Sequence, residues 1–138
     1  NPRRADLFST QWAMQVAEIE AGKRDELVHG DLSSYRTLLD VRDVVRGYWM
    51  LIENGKPGEA YNIGSRLEVR LSQFMEMLMQ RTTKRIPTRI DASFIRPTDI
   101  KTQVADSTKF LECTGWKPNY SLDESVDFLL KECREQVK

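Results

Sequence analysis

GDLSSYRTLLDVRDVVRGYWMLIENG, residues Gly30 to Gly55, decides how the chain is read. Its second half is the clearest helix in the sequence. Val41, Val44, Val45, Tyr48 and Ile52 form one stripe at helical spacing over Val41–Asn54. Asp40 stands at the N-cap position, and Asp43 sits in the first turn, where negative charge suits the helix dipole. Asn54-Gly55 ends the helix. The first half is a Gly/Ser-containing turn that places Arg36 just ahead of a buried segment. Arg36 and Arg42 flank a short apolar run that meets the acidic helix start. An arginine so placed is either a solvated loop residue or a ligand contact. Its planar fork donates two parallel hydrogen bonds, which suits phosphate oxygens.

Outward from this stretch, helices and short strands alternate. Leu7 to Ala21 reads as a helix with Phe8, Trp12, Val16 and Ile19 at helical spacing, and Gly22 ends it. Leu27-Val28-His29 is a short strand, followed by a loop from Gly30 to Tyr35. Lys56-Pro57-Gly58 is a turn, and Ala60 to Gly64 reads as a strand running into a glycine. Ser72 is placed to cap a helix through about Arg81, with Phe74, Met75 and Leu78 as core filler. Ile86 to Ile90 is a strand that Pro87 confines to a sheet edge. Arg96-Pro97 forces an extended loop. Asp106 to Thr114 is a short helix ended by Gly115. Ser121-Leu122-Asp123-Glu124 is a capping box for a last helix lined by Leu122, Val126, Leu129, Leu130, Cys133 and Val137. The class is α/β, with an α+β-like distribution of elements. Three short strands around five helices are too few for a sheet of their own, so the chain reads as part of a larger fold.

The totals narrow the functions. A chain of 138 residues fits one domain, 1–138, and its 40% apolar content allows a modest core. Lysine plus arginine and aspartate plus glutamate both number 21, so no basic excess marks a nucleic-acid binder. No run of 18 apolar residues marks a membrane span and no leader precedes the first helix, which gives a cytoplasmic reading. Cys113 and Cys133 fall on separate predicted helices without metal-ligand spacing, so reduced core thiols and no metal site are expected. His29 is the only histidine and has no evident catalytic partner. No nucleophile elbow, phosphate loop or dinucleotide fingerprint occurs, so no residue is assigned a catalytic role and no cofactor is expected on this chain alone. Arginines in predicted loops remain: Arg3, Arg4, Arg36 and Arg96. Asp99, three residues past Arg96, is placed to accept from a ribose diol.

Three blocks occur in order: PRRADLF, then GDLSSYRTLLDVRDVVRGYWMLIENGKPGEAYNIGS, then RPTDIKTQVADSTKFLECTGWKPNYSLDESVDFLL. Together they resemble the C-terminal, substrate-binding part of the extended short-chain dehydrogenase/reductases, the NAD-dependent epimerase/dehydratase family. The nearest likeness is its GDP-mannose branch, the GDP-mannose 4,6-dehydratases and GDP-6-deoxy-4-keto-mannose reductases. The resemblance implies a GDP-sugar as partner. Arg36 matches the family arginine that contacts the nucleotide end of the substrate, although Thr37-Leu38 replaces the acidic-aromatic pair that follows it. Arg96 matches the arginine on the diphosphate, and Asp99 the acidic residue on the ribose hydroxyls. Phe8 and Ser9 match a helix start near the phosphates, where backbone N–H groups favour anions. Arg3 and Arg4 match a pair in a loop used for subunit association.

The departures are as informative. The N-terminal Rossmann half is absent, and with it the glycine fingerprint and the Tyr-x-x-x-Lys catalytic pair. NAD(P) is therefore expected in a full-length enzyme and not on this chain. The helix carrying Tyr48 and Trp49, and the strand Tyr61 to Gly64, lose the sheet they pack on in the family. The chain then either forms a homo-oligomer through that surface or belongs to a longer protein. FSTQWAMQVAEIEAG resembles the reductases more than the dehydratases, and Asp99 stands where the dehydratases commonly carry glutamate. Three roles stay open: the binding part of a reductase or dehydratase, a free-standing GDP-sugar-binding module, and an oligomer-forming domain with no ligand.

Overall fold

The computed structural model describes residues 3, 4, 6–65, 67–95, 98 and 100–138. The expected contacts of Arg96 and Asp99 lie outside them. The helices are α1 (Phe8–Glu20), α2 (Val41–Asn54), α3 (Leu71–Met79), α4 (Thr108–Thr114) and α5 (Leu122–Val137). The strands are β1 (Leu27–His29), β2 (Tyr35–Thr37), β3 (Glu68–Arg70), β4 (Thr88–Ile90) and β5 (Thr102–Gln103). The α/β class holds. No helix among the described residues is long and apolar enough to cross a membrane.

The core forms where α1, α3 and α5 meet. On α1, bulky Trp12 and Val16 are buried with small Ala13 and Ala17, so facing side chains interdigitate. Phe74, Leu78, Leu129, Leu130 and Cys133 complete the cluster from α3 and α5. The ends of α1 and α5 are tied by charge. Arg134 donates twice to Glu20, at 2.7 Å each, and once to Arg81 O at 2.8 Å. Lys84 Nζ donates to Glu20 O at 2.8 Å, satisfying a terminal carbonyl of α1 with a cation. The predicted capping box of α5 is present: Ser121 Oγ accepts from Glu124 N, and Glu124 Oε2 accepts from Ser121 N.

Among the described residues, two small sheets flank the helices. β1 and β4 run parallel, Leu27 opposite Thr88. The free edge of β1 is closed by a side chain: Gln15 donates to Val28 O at 3.1 Å and accepts from Val28 N at 2.7 Å, as a neighbouring strand would. The second sheet has the order β3-β2-β5, with β2 antiparallel to β3 and parallel to β5. None of these three strands was expected from the sequence. Each is two or three residues long, too short to show an alternating pattern. Conversely, Ala60 to Gly64 forms no strand, because a strand exists only through a ladder partner. Its backbone is instead anchored by Ser107 Oγ, which donates to Gly64 O at 3.0 Å.

Two helix starts also differ from expectation. α3 opens at Leu71, and Ser72 is not its cap. Leu71 N and Ser72 N donate to Ser34 O and Leu32 O, so a neighbouring loop supplies the acceptors. α4 opens at Thr108, because Asp106 folds back to accept from Thr108 N at 3.0 Å. Gly115 ends α4 in the left-handed region at φ +63°, as its position suggested.

α2 reverses the usual rule for an amphipathic helix. Its buried residues are Asp43 and Gly47. A Cβ on Gly47 would stand 3.2 Å from Phe110 Cζ and 3.3 Å from Trp116 Nε1, so a side chain here would push these rings back by a few tenths of an ångström. The apolar stripe faces outward: Val45 is 60% exposed, Tyr48 56%, Trp49 64% and Ile52 78%. This is the surface that the sequence reading left without its sheet.

Candidate functional site

The site is built on the first turn of α2. Asp40 caps the helix by accepting from Arg42 N at 2.9 Å. Both its oxygens also accept from the Arg42 guanidinium, at 2.9 and 2.8 Å. The Arg42 guanidinium beside it, opposed by burial, holds the Asp40 carboxyl down at about 2. Arg42 in turn lies 3.6 Å over the Tyr120 ring and 4.3 Å over the Phe128 ring. One cation thus joins the start of α2 to the entry and body of α5.

Three residues on, Asp43 is fully buried. It accepts from Asn119 N at 2.9 and 3.0 Å, from Tyr120 N at 3.1 Å and from Arg46 Nη2 at 2.9 Å. Its own carbonyl accepts from Trp116 Nε1 at 3.1 Å. Burial pushes its carboxyl up, but the Asn119 amide, Arg46 and the Tyr120 amide outweigh this and hold it below the usual range. Arg46 also donates to Lys117 O. The RDVV and GW-x-P blocks of the sequence are therefore one structural unit. Sequence reasoning gave Asp43 only a dipole role. The buried pairing left no local signal beyond a glycine at position 47 inside an apolar helix.

Beside this unit lies a cavity of about 660 Å³. Small-molecule sites span about 300–1,000 Å³. Its walls include Ser9, Leu38, Leu39, Phe74, Tyr120 and Phe128. Ser9 is a predicted site residue and lies in the first turn of α1, whose start carries no side-chain cap. Phe8, predicted with it, packs edge-on against Trp12 and Phe74, at 5.1 and 5.7 Å between ring centroids. The structure places it as a wall of the core next to Ser9.

Arg36 lies on β2 and is half-buried. Its Nη1 donates to Tyr35 O and to Ile100 O, both at 2.8 Å. Tyr35 N donates to Lys101 O, and β2 pairs with β5, so the RPTDI segment is laced to Arg36 at its C-terminal side. Nearby, the Lys101 ammonium at 2.8 Å and Ser33 hold the Asp31 carboxyl well below the carboxylate range. Arg3 and Arg4 are exposed, and Arg4 is paired bidentately with Asp6 at 2.8 and 2.6 Å. His29 is buried, donates from Nδ1 to Gly30 O at 2.7 Å and packs edge-on to Trp12, a structural role. The cavity offers hydroxyls and an apolar hollow, and its charged wall residues, Asp40, Glu68 and Asp123, are acidic. Arg36, Arg42, Arg46 and Lys101 donate to carbonyls or carboxylates of the chain.

A family model described as GDP-mannose 4,6 dehydratase matches residues 1–128. The GDP-6-deoxy-D-mannose reductase of Pseudomonas aeruginosa is 26% identical over 127 residues, which cover 91% of this chain and 42% of the relative. The GDP-mannose 4,6-dehydratase of Sinorhizobium fredii is 24% identical, over 96% of this chain and 43% of its own. Among solved structures, the P. aeruginosa protein RMD, complexed with NADPH, superposes with a TM-score of 0.88 at 24% identity, over 98% of this chain and 44% of that one. A Thermotoga maritima UDP-glucose 4-epimerase with UDP-glucose superposes with a TM-score of 0.76 at 24% identity, over 94% of this chain and 40% of that one. The chain spans about two fifths of the length of the curated relatives it matches.

Proposed function

This chain belongs to the GDP-mannose 4,6 dehydratase family over residues 1–128, and from that premise we propose that it is the sugar-nucleotide-binding portion of an NAD(P)-dependent enzyme of GDP-mannose chemistry. The observation that carries the reading is the lacing of β2 to residues 100–103. It sets Arg36 beside residues 100–103, which follow in sequence the Arg96 and Asp99 expected to hold the diphosphate and the ribose. In this reading Arg36 contacts the nucleotide end of the ligand, Arg96 donates to the diphosphate, and Asp99 accepts from the ribose. Ser9 and the backbone at Phe8 face the phosphate side, and the cavity beyond Ser9 receives one end of the ligand. The substrate class is GDP-6-deoxy-4-keto-mannose, supported by the reductase-like α1 segment and by the P. aeruginosa relative. GDP-mannose itself is the second reading, supported by the dehydratase relatives.

The chain has no G-x-G-x-x-G turn, the motif that seats the pyrophosphate of a nicotinamide dinucleotide. We assign that cofactor, and the hydride it carries, to the part of the enzyme beyond this domain. The open face of α2 is the seat for that part. Arg3 and Arg4 are assigned to subunit association. Calorimetric titration with GDP, with UDP as control, tests the binding reading. Saturable GDP binding, weakened about tenfold or more in Arg36→Ala and Arg96→Ala, is expected. Equal heats from both nucleotides, or variants that bind like the parent, would sink it.

A further inference from the structure

Asp43 commits a buried carboxylate to an exposed loop. Residues 117–120 are all exposed. Yet Asn119 N and Tyr120 N both donate to a side chain that has no exposed surface. Burying a carboxylate forfeits its hydration, and an apolar residue at this position would not carry that penalty. What the carboxylate adds is position. The segment it holds, residues 116–121, is a partition between two hollows. Trp116, Lys117 and Pro118 line one of about 400 Å³. Pro118, Tyr120 and Ser121 line the larger cavity. Arg42, one residue before Asp43, presses on the Tyr120 ring from the same turn of α2.

We infer that Asp43 is a positioning residue: its carboxylate fixes the 116–121 partition and thereby sets the shape of the cavity that receives the ligand. The identity of the ligand rests on the proposed function; the tie between Asp43 and the partition does not. Asp43→Asn is the direct probe. It keeps the shape of the side chain but turns one acceptor oxygen into a donor that faces the amides of Asn119 and Tyr120.

Two readouts are taken on the same samples. Amide hydrogen exchange is followed at Asn119 and Tyr120, with Leu129 and Leu130 in α5 as internal reference, and GDP is titrated. Exchange at Asn119 and Tyr120 is expected to accelerate about tenfold or more while Leu129 and Leu130 keep their protection, with GDP affinity falling about tenfold. A uniform loss of protection through α5 would make Asp43 a general stabiliser and overturn the inference. So would accelerated loop exchange with unchanged GDP affinity. If the parent protein binds no GDP, the ligand reading fails separately, and the exchange pattern decides the tie: unchanged protection at Asn119 and Tyr120 overturns it. Should Asp43→Asn not fold, Asn119→Pro deletes a donor from the loop side and leaves Asp43 in place; proline carries no amide hydrogen, so it is judged by exchange at Tyr120 against Leu129 and Leu130 and by GDP affinity.

Discussion

Single residues here act through the groups they satisfy. Asp40 serves α2 as cap and Arg42 as counter-ion, so its loss is expected to lower stability by about 1–2 kcal/mol at neutral pH. The sign of its pH dependence follows from its carboxyl being held at about 2 against an ordinary 3.8. That stability is present above the ordinary value and disappears as pH falls through about 2. Thermal melts of the parent and Asp40→Ala between pH 7 and 2 should show a gap that narrows below pH 4. A gap of constant size would mean that the cap is not ionic. Cys133 gives a second residue-scale expectation. Burial pushes its thiol up to about 11 and removes it from solvent, whereas Cys113 is partly exposed. A thiol reagent at pH 8 should label Cys113 in the folded chain and reach Cys133 only on unfolding. Rapid labelling of both would contradict the packing of α5.

At the scale of elements, α2 is held by the wrong face for an ordinary amphipathic helix. Its anchors are Asp43, Gly47 and the Phe110–Trp116 pair, whose ring centroids lie 5.6 Å apart. Phe110→Ala should therefore cost about 3–5 kcal/mol in denaturant unfolding. Trp49→Glu and Ile52→Lys, on the open face, should stay within about 0.5 kcal/mol of the parent. The same two substitutions should abolish any association of the chain, read by sedimentation velocity. A denaturation midpoint that shifts as far for Ile52→Lys as for Phe110→Ala would show the stripe to be covered within this chain. The helix ends tell a similar story. α5 opens with a local Ser121–Glu124 capping box, readable in four residues. α3 opens on carbonyls at Leu32 and Ser34, some forty residues away in sequence.

For the whole molecule, the open α2 face and the 60–64 segment, which joins no strand ladder, lie on a chain that spans about two fifths of its curated relatives. Joining a cofactor-binding half should protect amides 60–64 from exchange and cover Trp49, seen as a blue shift and loss of quenching of its fluorescence. Unchanged exchange at 60–64 in such an assembly would remove the seat proposed for α2. The helices were legible in the sequence because caps, glycine stops and 3.6-residue periodicity are local properties. So was the family, carried by motifs spread from Pro2 to Leu130. The reading of Ser9 and Arg36 as neighbours of a ligand came from those motifs, and the geometry adds the cavity at Ser9 and the Ile100 tie at Arg36. Only the tertiary structure decided which face of α2 is buried, that β2, β3 and β5 pair, that Ala60 to Gly64 does not, and that Asp43 gathers the 119–120 amides. The physical reason is range. Periodicity tells that a helix has an apolar side but not what covers it, and a strand or a buried carboxylate acquires its meaning from partners that lie tens of residues away.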